Sequence, residues 1–413
     1  MKKKLLKFSA LALALGLSLS ACDEKEEETV VTKDTYSVEV IDIDGEVLLE
    51  KSFEKTENTV LDDLNASTTV TGSNSSFGFT IESIANSVVD KNYYVAIYEN
   101  GEYASTGVDG LVVDNGDKFK FQVECFNTIS SGYGTMDETD ILVDKIIYSY
   151  AKNQMKDYLK NTGSYTALGG FSNVAFGAAD YWSFIGLNLM IQNKYDSNLF
   201  NINNVPANVK TDLEAFDTTT LSGAQFGKYY YAAKALGVDL TNGFKTAYQS
   251  YLNNLPEDYG MYSEYEYPFT LGISKNLNVT STNLEKVIKT AYRADTTYGI
   301  DGFAWQVASL AQLTTLSTDE LNAFEAKDYG NSISTALALL PFAALNVSPR
   351  AEVYQKDGKD LVEILIENYY DSENKIIKYN SEEATNSNTP QIYAALMAYK
   401  AQRDSGKAAY IFA

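Results

Sequence analysis

Histidine is missing from all 413 residues, cysteine and tryptophan occur twice each, and lysine plus arginine number 33 against 55 aspartates and glutamates. Each shortage removes a class of chemistry. Without an imidazole there is no Ser-His-Asp arrangement, and a zinc site built from Asp, Cys and His cannot be assembled. Cys22 lies in a leader-like segment, so Cys125 has no partner for an internal disulfide. Its place in a strand alternation makes it a small apolar residue and not a nucleophile. The formal charge of −22 makes nucleic acid and anionic polymers poor partners. The length favours two or more domains.

What is present begins with a targeting signal. Residues 1–22 carry Lys2, Lys3, Lys4 and Lys7, then an apolar stretch from Leu5 to Ser20, then Ala21-Cys22. That stretch is short for a membrane span, which needs about 20 apolar residues, and reads as a secretion signal. Leu19-Ser20-Ala21-Cys22 resembles a bacterial lipobox, which implies a lipidated Cys22 and an extracytoplasmic protein tethered to the cell membrane or cell surface; the alternative is an ordinary signal cut nearby. Loss of residues 1–21 and their four lysines takes the charge from −22 to −26. Residues 23–34, opening with Asp23-Glu24-Lys25-Glu26-Glu27-Glu28, read as a solvated spacer.

Residues 35–126 read as a β-rich domain. Tyr36 to Ile43 and Glu46 to Phe53 flank a turn at Gly45, and Phe77 to Ile84 follows a loop expected over Asn65 to Ser76. Thr59 is placed to cap a short helical turn. Asn100-Gly101 suits a tight hairpin, so Tyr93 to Tyr98 and the run from Tyr103 should pair. After the turn at Asp114-Asn115-Gly116-Asp117, Phe119, Phe121, Val123 and Cys125 share one strand face. Residues 127–136 read as a linker.

From residue 137 the apolar period changes from two to about 3.6. Amphipathic candidates are Asp140 to Lys160, Ala207 to Phe216, Thr241 to Asn254, Thr282 to Arg293, Thr318 to Lys327 and Lys359 to Tyr370. They alternate with apolar, charge-poor ones at Asp180 to Gln192, Ser222 to Leu236, Tyr267 to Ser274, Gly302 to Leu316, Ser332 to Leu345 and Thr389 to Lys400. A helix apolar nearly all round must be buried on all sides. An inner ring of six inside an outer ring of six satisfies both sets, so the expected class is a small N-terminal α+β domain followed by an all-α (α/α)6 toroid over 137–413. Pro341 should kink its helix.

Two groups of motifs carry a family resemblance. The aromatic strand, Asn100-Gly101-Glu102 turn, Gly107-Val108 and Gly116-Asp117 before a last strand resemble the small β-domain of transcobalamin and intrinsic factor. Gly223-Ala224-Gln225-Phe226, Asp301-Gly302-Phe303-Ala304-Trp305, Asn331-Ser332 with Ser334-Thr335-Ala336, and Asn388-Thr389-Pro390-Gln391 resemble inner-helix starts of terpenoid-cyclase-like toroids. The carriers pair the same two bodies around cobalamin. The resemblance implies a surface lipoprotein that binds cobalamin or another corrinoid between its domains and delivers it to a membrane transporter. Here the β-domain comes first, and with no histidine a bound cobalamin keeps its own lower base or takes another ligand.

If the inner helices run parallel, their N-termini converge on one face with unpaired N–H groups. The expected ligand residues on it are Tyr181, Trp182, Gln225, Tyr267, Phe269, Asp301, Phe303, Trp305, Tyr329, Asn331, Asn388 and Gln391, with Phe77, Phe79, Tyr94 and Tyr98 on the β-domain as lid. No catalytic residue is expected and no metal site. A carboxylate-pair glycosidase remains an alternative, with candidates in Glu257-Asp258, Glu264, Glu266, Asp301 and Asp328. A sugar binder on the same toroid belongs to that alternative, and an envelope adhesion or scaffold module, its tyrosines serving protein contact, is the third reading.

Overall fold

In the computed structural model, residues 33–76, 78–126, 135–155, 178–200, 207–221, 223, 225–255, 263–279, 281–291, 299–380 and 389–413 are described. Strands β1 (Thr35–Ile41), β2 (Val47–Glu54), β5 (Tyr93–Glu99), β6 (Glu102–Tyr103) and β7 (Lys118–Cys125) form one sheet in the order β2-β1-β7-β5-β6. β1 and β7 are parallel and the other pairs antiparallel. The alternation predicts the buried face. Tyr36, Val38, Val40, Phe119 and Phe121 point inward, and helix α1 (Val60–Ser67) lays Val60 and Leu64 on them. Thr59 caps α1 and Asp62 returns a hydrogen bond to the cap backbone. At the tight turn Asn100 and Gly101 both take positive φ, 53° and 90°, and Tyr98 pairs with Tyr103.

One expectation fails here. Within the segment read as a loop, Val70–Ser75 is strand β3, paired with β4 (Gly78–Ile84). The strand is nearly all Gly, Ser, Thr and Asn, so it carries no apolar alternation; backbone pairing with β4 holds it, a signal absent from side-chain pattern.

Twelve α-helices follow among the described residues. They are α2 (Glu138–Tyr150), α3 (Ala178–Gln192), α4 (Ala207–Glu214), α5 (Gln225–Ala235), α6 (Phe244–Asn253), α7 (Ser263–Leu277), α8 (Thr282–Ala291), α9 (Gly299–Leu310), α10 (Ser332–Leu337), α11 (Leu340–Leu345), α12 (Leu361–Tyr369) and α13 (Thr389–Ser405). Two spans depart from the helices expected. Thr318–Ala323 is a 3-10 segment, and the apolar run Ser332 to Leu345 is two helices and not one kinked one. Pro341 lies in the first turn of α11, where its missing N–H costs nothing, so the chain restarts the helix instead of bending it.

Helices α3 and α13 are parallel and closely packed: Tyr150 bonds Ser183 and stacks on Tyr393, while Tyr195, past the end of α3, bonds Asp404 near the end of α13. Gly186 permits the approach, since a Cβ there would lie 2.7 Å from the Met397 sulfur. After α13, Gly406 at φ 61° turns the chain back. Residues 409–412 then enter the middle of the helical body, all buried. Ala409 N–H donates to Ala343 O at 2.8 Å, Tyr410 Oη to Pro268 O at 3.0 Å and Tyr231 Oη to Phe412 O at 2.7 Å.

Candidate functional site

Three of the aromatic residues expected as ligand contacts pack together as a floor. Trp182 of α3, Phe269 of α7 and Trp305 of α9 lie with ring centroids 5.4 to 5.9 Å apart, and Phe412 from the returning C-terminal segment sits 4.5 Å from Phe269 and 5.8 Å from Trp182. Ring pairs of this kind contribute about 0.5–1.5 kcal/mol each beyond area burial. The floor therefore belongs to the protein's own core: its three expected ligand rings touch one another and Phe412. Tyr267 and Phe303 are buried as well, but each stands two residues from a floor ring and so points elsewhere on its helix; Phe303 stacks on Phe324 at 5.1 Å.

Polar side chains stand at the starts of α5, α9, α10 and α13. Asp301, half-buried at the start of α9, is bonded by Ser334 of α10, and burial pushes its carboxyl above the usual range while that bond pulls it down. Asn331 caps α10, accepting from Ser334 N–H at 2.9 Å. Gln225 and Gln391 are half-buried at the starts of α5 and α13. Tyr329 donates to Glu325 O and lies under the Lys327 ammonium at 5.1 Å. Asn388, Phe77, Cys22 and the side chain of Tyr181 fall outside the described residues.

Of the β-domain residues expected as a lid, Phe79, Tyr94 and Tyr98 are placed as follows. Period two sends neighbours on β5 to opposite faces. Tyr93 is buried and its hydroxyl donates to Asp144 of α2, at 3.0 Å, so Tyr94 and Tyr98 face away from that contact. They lie on the outer sheet face, where both hydroxyls reach Glu124, Tyr94 stacks on the exposed Phe126, and Lys120 sits over the Tyr98 ring at 4.3 Å. Phe79 packs against the core of its own domain.

What joins the two bodies is a buried ion cluster. The Lys400 ammonium of α13 lies 2.7 Å from Asp90, 3.0 Å from Asp144 and 3.0 Å from Asp404, so its three N–H donors meet three carboxylates. Each carboxylate also takes a tyrosine hydroxyl: Tyr148 donates to Asp90, Tyr93 to Asp144 and Tyr195 to Asp404. Arg403 adds its Nη2, which donates to both oxygens of Asp144 at 2.8 and 3.0 Å. Burial works against the Lys400 charge, yet Asp144 and Asp90 hold its pKa well above the ordinary value. Burial likewise opposes ionisation of Asp404, but Lys400 and Arg403 outweigh it and keep that carboxyl low. A second tie joins Lys152, past α2, to Asp42, Asp44 and Glu46. The described contact between the bodies thus combines charge and hydroxyl groups along α2 and the later part of α13 with Ile43, Val88, Tyr93 and Val123, which share a buried apolar cluster with the helical core.

Sequence reasoning passed over this cluster. Its signal was available: Lys400, Arg403 and Asp404 close a helix that is otherwise apolar, and charges on a buried helix need partners. Beside the cluster opens a polar cleft of about 610 Å³ between the start of α2, the end of α11 and the end of α13, walled by Asp137, Asn346, Arg350, Tyr399, Gln402 and Arg403 among others. Among the described residues no group of three or more acidic or cysteine side chains is arranged to hold a metal ion, and no helix is long and apolar enough to cross a membrane.

No family model matches the chain, and no curated protein matches it. Among solved structures, the chain is similar at 24% identity and a TM-score of 0.19 to one described as "a putative metal binding protein from Ruminococcus gnavus ATCC 29149"; the match covers 22% of this chain and 98% of that one. At that TM-score the likeness carries no argument.

Proposed function

We propose that this protein is a capture protein, tethered at the cell surface through a lipidated Cys22, that binds cobalamin or a related corrinoid and passes it to a membrane transporter. In this reading the alternating helices are the paired rings of an (α/α)6 toroid, and the ligand lies over the inner-helix starts. The observation that carries it is a packed aromatic cluster, Trp182, Phe269 and Trp305, in a helical body whose helix starts also carry half-buried amides and a carboxyl, Gln225, Asp301, Asn331 and Gln391. Helix starts add outward N–H groups, which suit a macrocycle edged with amide oxygens and bearing a phosphate. Because the described seam between the bodies is filled, the β-domain serves as a fixed flank and not as a flap over Phe79, Tyr94 and Tyr98. No covalent step belongs to this reading.

The test is optical. Protein mixed with cyanocobalamin at micromolar concentration and desalted should carry the corrin absorbance through the column, and Gln391→Ala together with Gln225→Ala should weaken retention about tenfold. That factor corresponds to about 1.4 kcal/mol, in the range for losing hydrogen bonds to ligand amides. A colourless protein fraction sinks the proposal.

A further inference from the structure

The cleft beside the ion cluster carries a second, independent reading. Its polarity is fixed by a relay of amides. Asn346 Nδ2 donates to Gly406 O at 3.0 Å, so Asn346 Oδ1 is left as an acceptor and takes the Gln402 Nε2 donor at 3.2 Å. The Gln402 amide therefore cannot turn over without setting two oxygens against each other. Its Oε1 is buried with no hydrogen-bond partner, on a side chain that is 7% exposed and lines the cleft. An acceptor in that position wants an N–H or O–H from outside the protein.

The charge around it narrows the donor's class. Asp137 and Asp140 line the cleft, and the Arg350 guanidinium that faces them is shared with Asp360 and Glu363. On the other wall Arg403 is shared among Asp140, Asp144 and Asp404. The wall itself balances Asp137 and Asp140 against Arg350 and Arg403, but behind it Asp144, Asp360, Glu363 and Asp404 outnumber Lys400, so the surrounding charge is net negative and disfavours phosphates and carboxylates. A bare metal ion is disfavoured by donor set, since these carboxylates already face guanidinium groups and no three-ligand arrangement is present among the described residues. A group with directed N–H donors and a positive charge meets both demands.

We infer that this cleft binds a small organic ammonium, a primary amine or short diamine, with one N–H on Gln402 Oε1 and its charge beside Asp137. The volume of about 610 Å³ admits such a molecule with ordered water. Asp137 is the accessible anchor, its side chain 57% exposed at the edge, and Gln402 the buried one.

Calorimetric titration of the full chain with putrescine, at fixed ionic strength, tests this. Saturable binding at one site per chain is expected, with a rise in Tm. Gln402→Met, which keeps the volume but removes the acceptor and the donor to Asn346, should lower affinity at least tenfold in a protein that circular dichroism shows to be folded. Asp137→Asn keeps the cap and the fold and should weaken binding several-fold while flattening its salt dependence. Absence of saturable heat at millimolar putrescine overturns the inference, as does equal binding by wild type and Gln402→Met, which would mark diffuse attraction to an acidic surface. Sorbitol binding in place of putrescine would overturn it too, making the cleft a neutral polyol site. None of these outcomes bears on corrinoid retention, which is read at the helix starts.

Discussion

At the scale of single residues, the buried ammonium of Lys400 decides most. Removing one partner from a buried ion set strands the others in a medium that cannot solvate them, at a cost of about 3–5 kcal/mol. Lys400→Met, which leaves Asp90, Asp144 and Asp404 facing one another, should lower unfolding free energy by that amount in urea titrations; a loss under 1 kcal/mol would show the cluster to be solvated. The pH dependence follows from Asp404. Its folded pKa lies below the unfolded value near 3.9, so its stabilisation is fully present above the unfolded value and is lost as pH falls from about 4 toward the folded one. Urea midpoints measured from pH 7 to pH 3 should drop steeply at the acid end, and Asp404→Asn should flatten that drop while lowering the whole curve. Asp301 has the opposite sign. Burial raises its pKa, so its charge opposes folding at neutral pH, and Asp301→Asn should stabilise the protein there.

At the scale of elements, the returning segment after α13 is the least expected feature. Phe412 completes the aromatic floor, and Phe412→Ala should cost about 3–5 kcal/mol, as for other large-to-small changes in a packed core. The same variant should make Trp182 and Trp305 more accessible to acrylamide quenching; unchanged quenching would contradict the placement of the segment. Gly272 gives a second probe, because a Cβ there would lie 1.9 Å from the Phe412 carbonyl oxygen. Periodicity located these helices well where a face was apolar throughout, as in α3 and α13. It failed for β3, whose polar side chains say nothing of pairing, and at Pro341, where a proline inside an apolar run looked like a kink but begins a new helix.

At the scale of the whole molecule, the β-domain and helical body share a buried apolar cluster and two ion ties, a buried one at Lys400 and a partly exposed one at Lys152. They should therefore melt together in a single calorimetric transition. Asp90→Asn combined with Lys152→Met should separate the transition into two, without altering the sheet content seen by circular dichroism. Two transitions already in the wild type would mean that the ties are too weak to couple the bodies.

The sequence by itself determined the local choices: which stretches alternate, which recur at 3.6, where Asn100-Gly101 turns and Thr59 caps, and which side chains have no water to face. It also excluded imidazole chemistry outright. Only the tertiary structure decided how the candidate site is used, because contacts between residues distant in the chain leave no period behind. Nothing in the pattern around Trp182, Phe269 and Trp305 announces that Phe412, more than a hundred residues further on than Trp305, packs against all three. Lys400 reads as a helix-end charge until Asp90, Asp144 and Asp404 close around it. Burial of a charge is settled by the partners that tertiary packing brings to it, and those partners come from three separate elements.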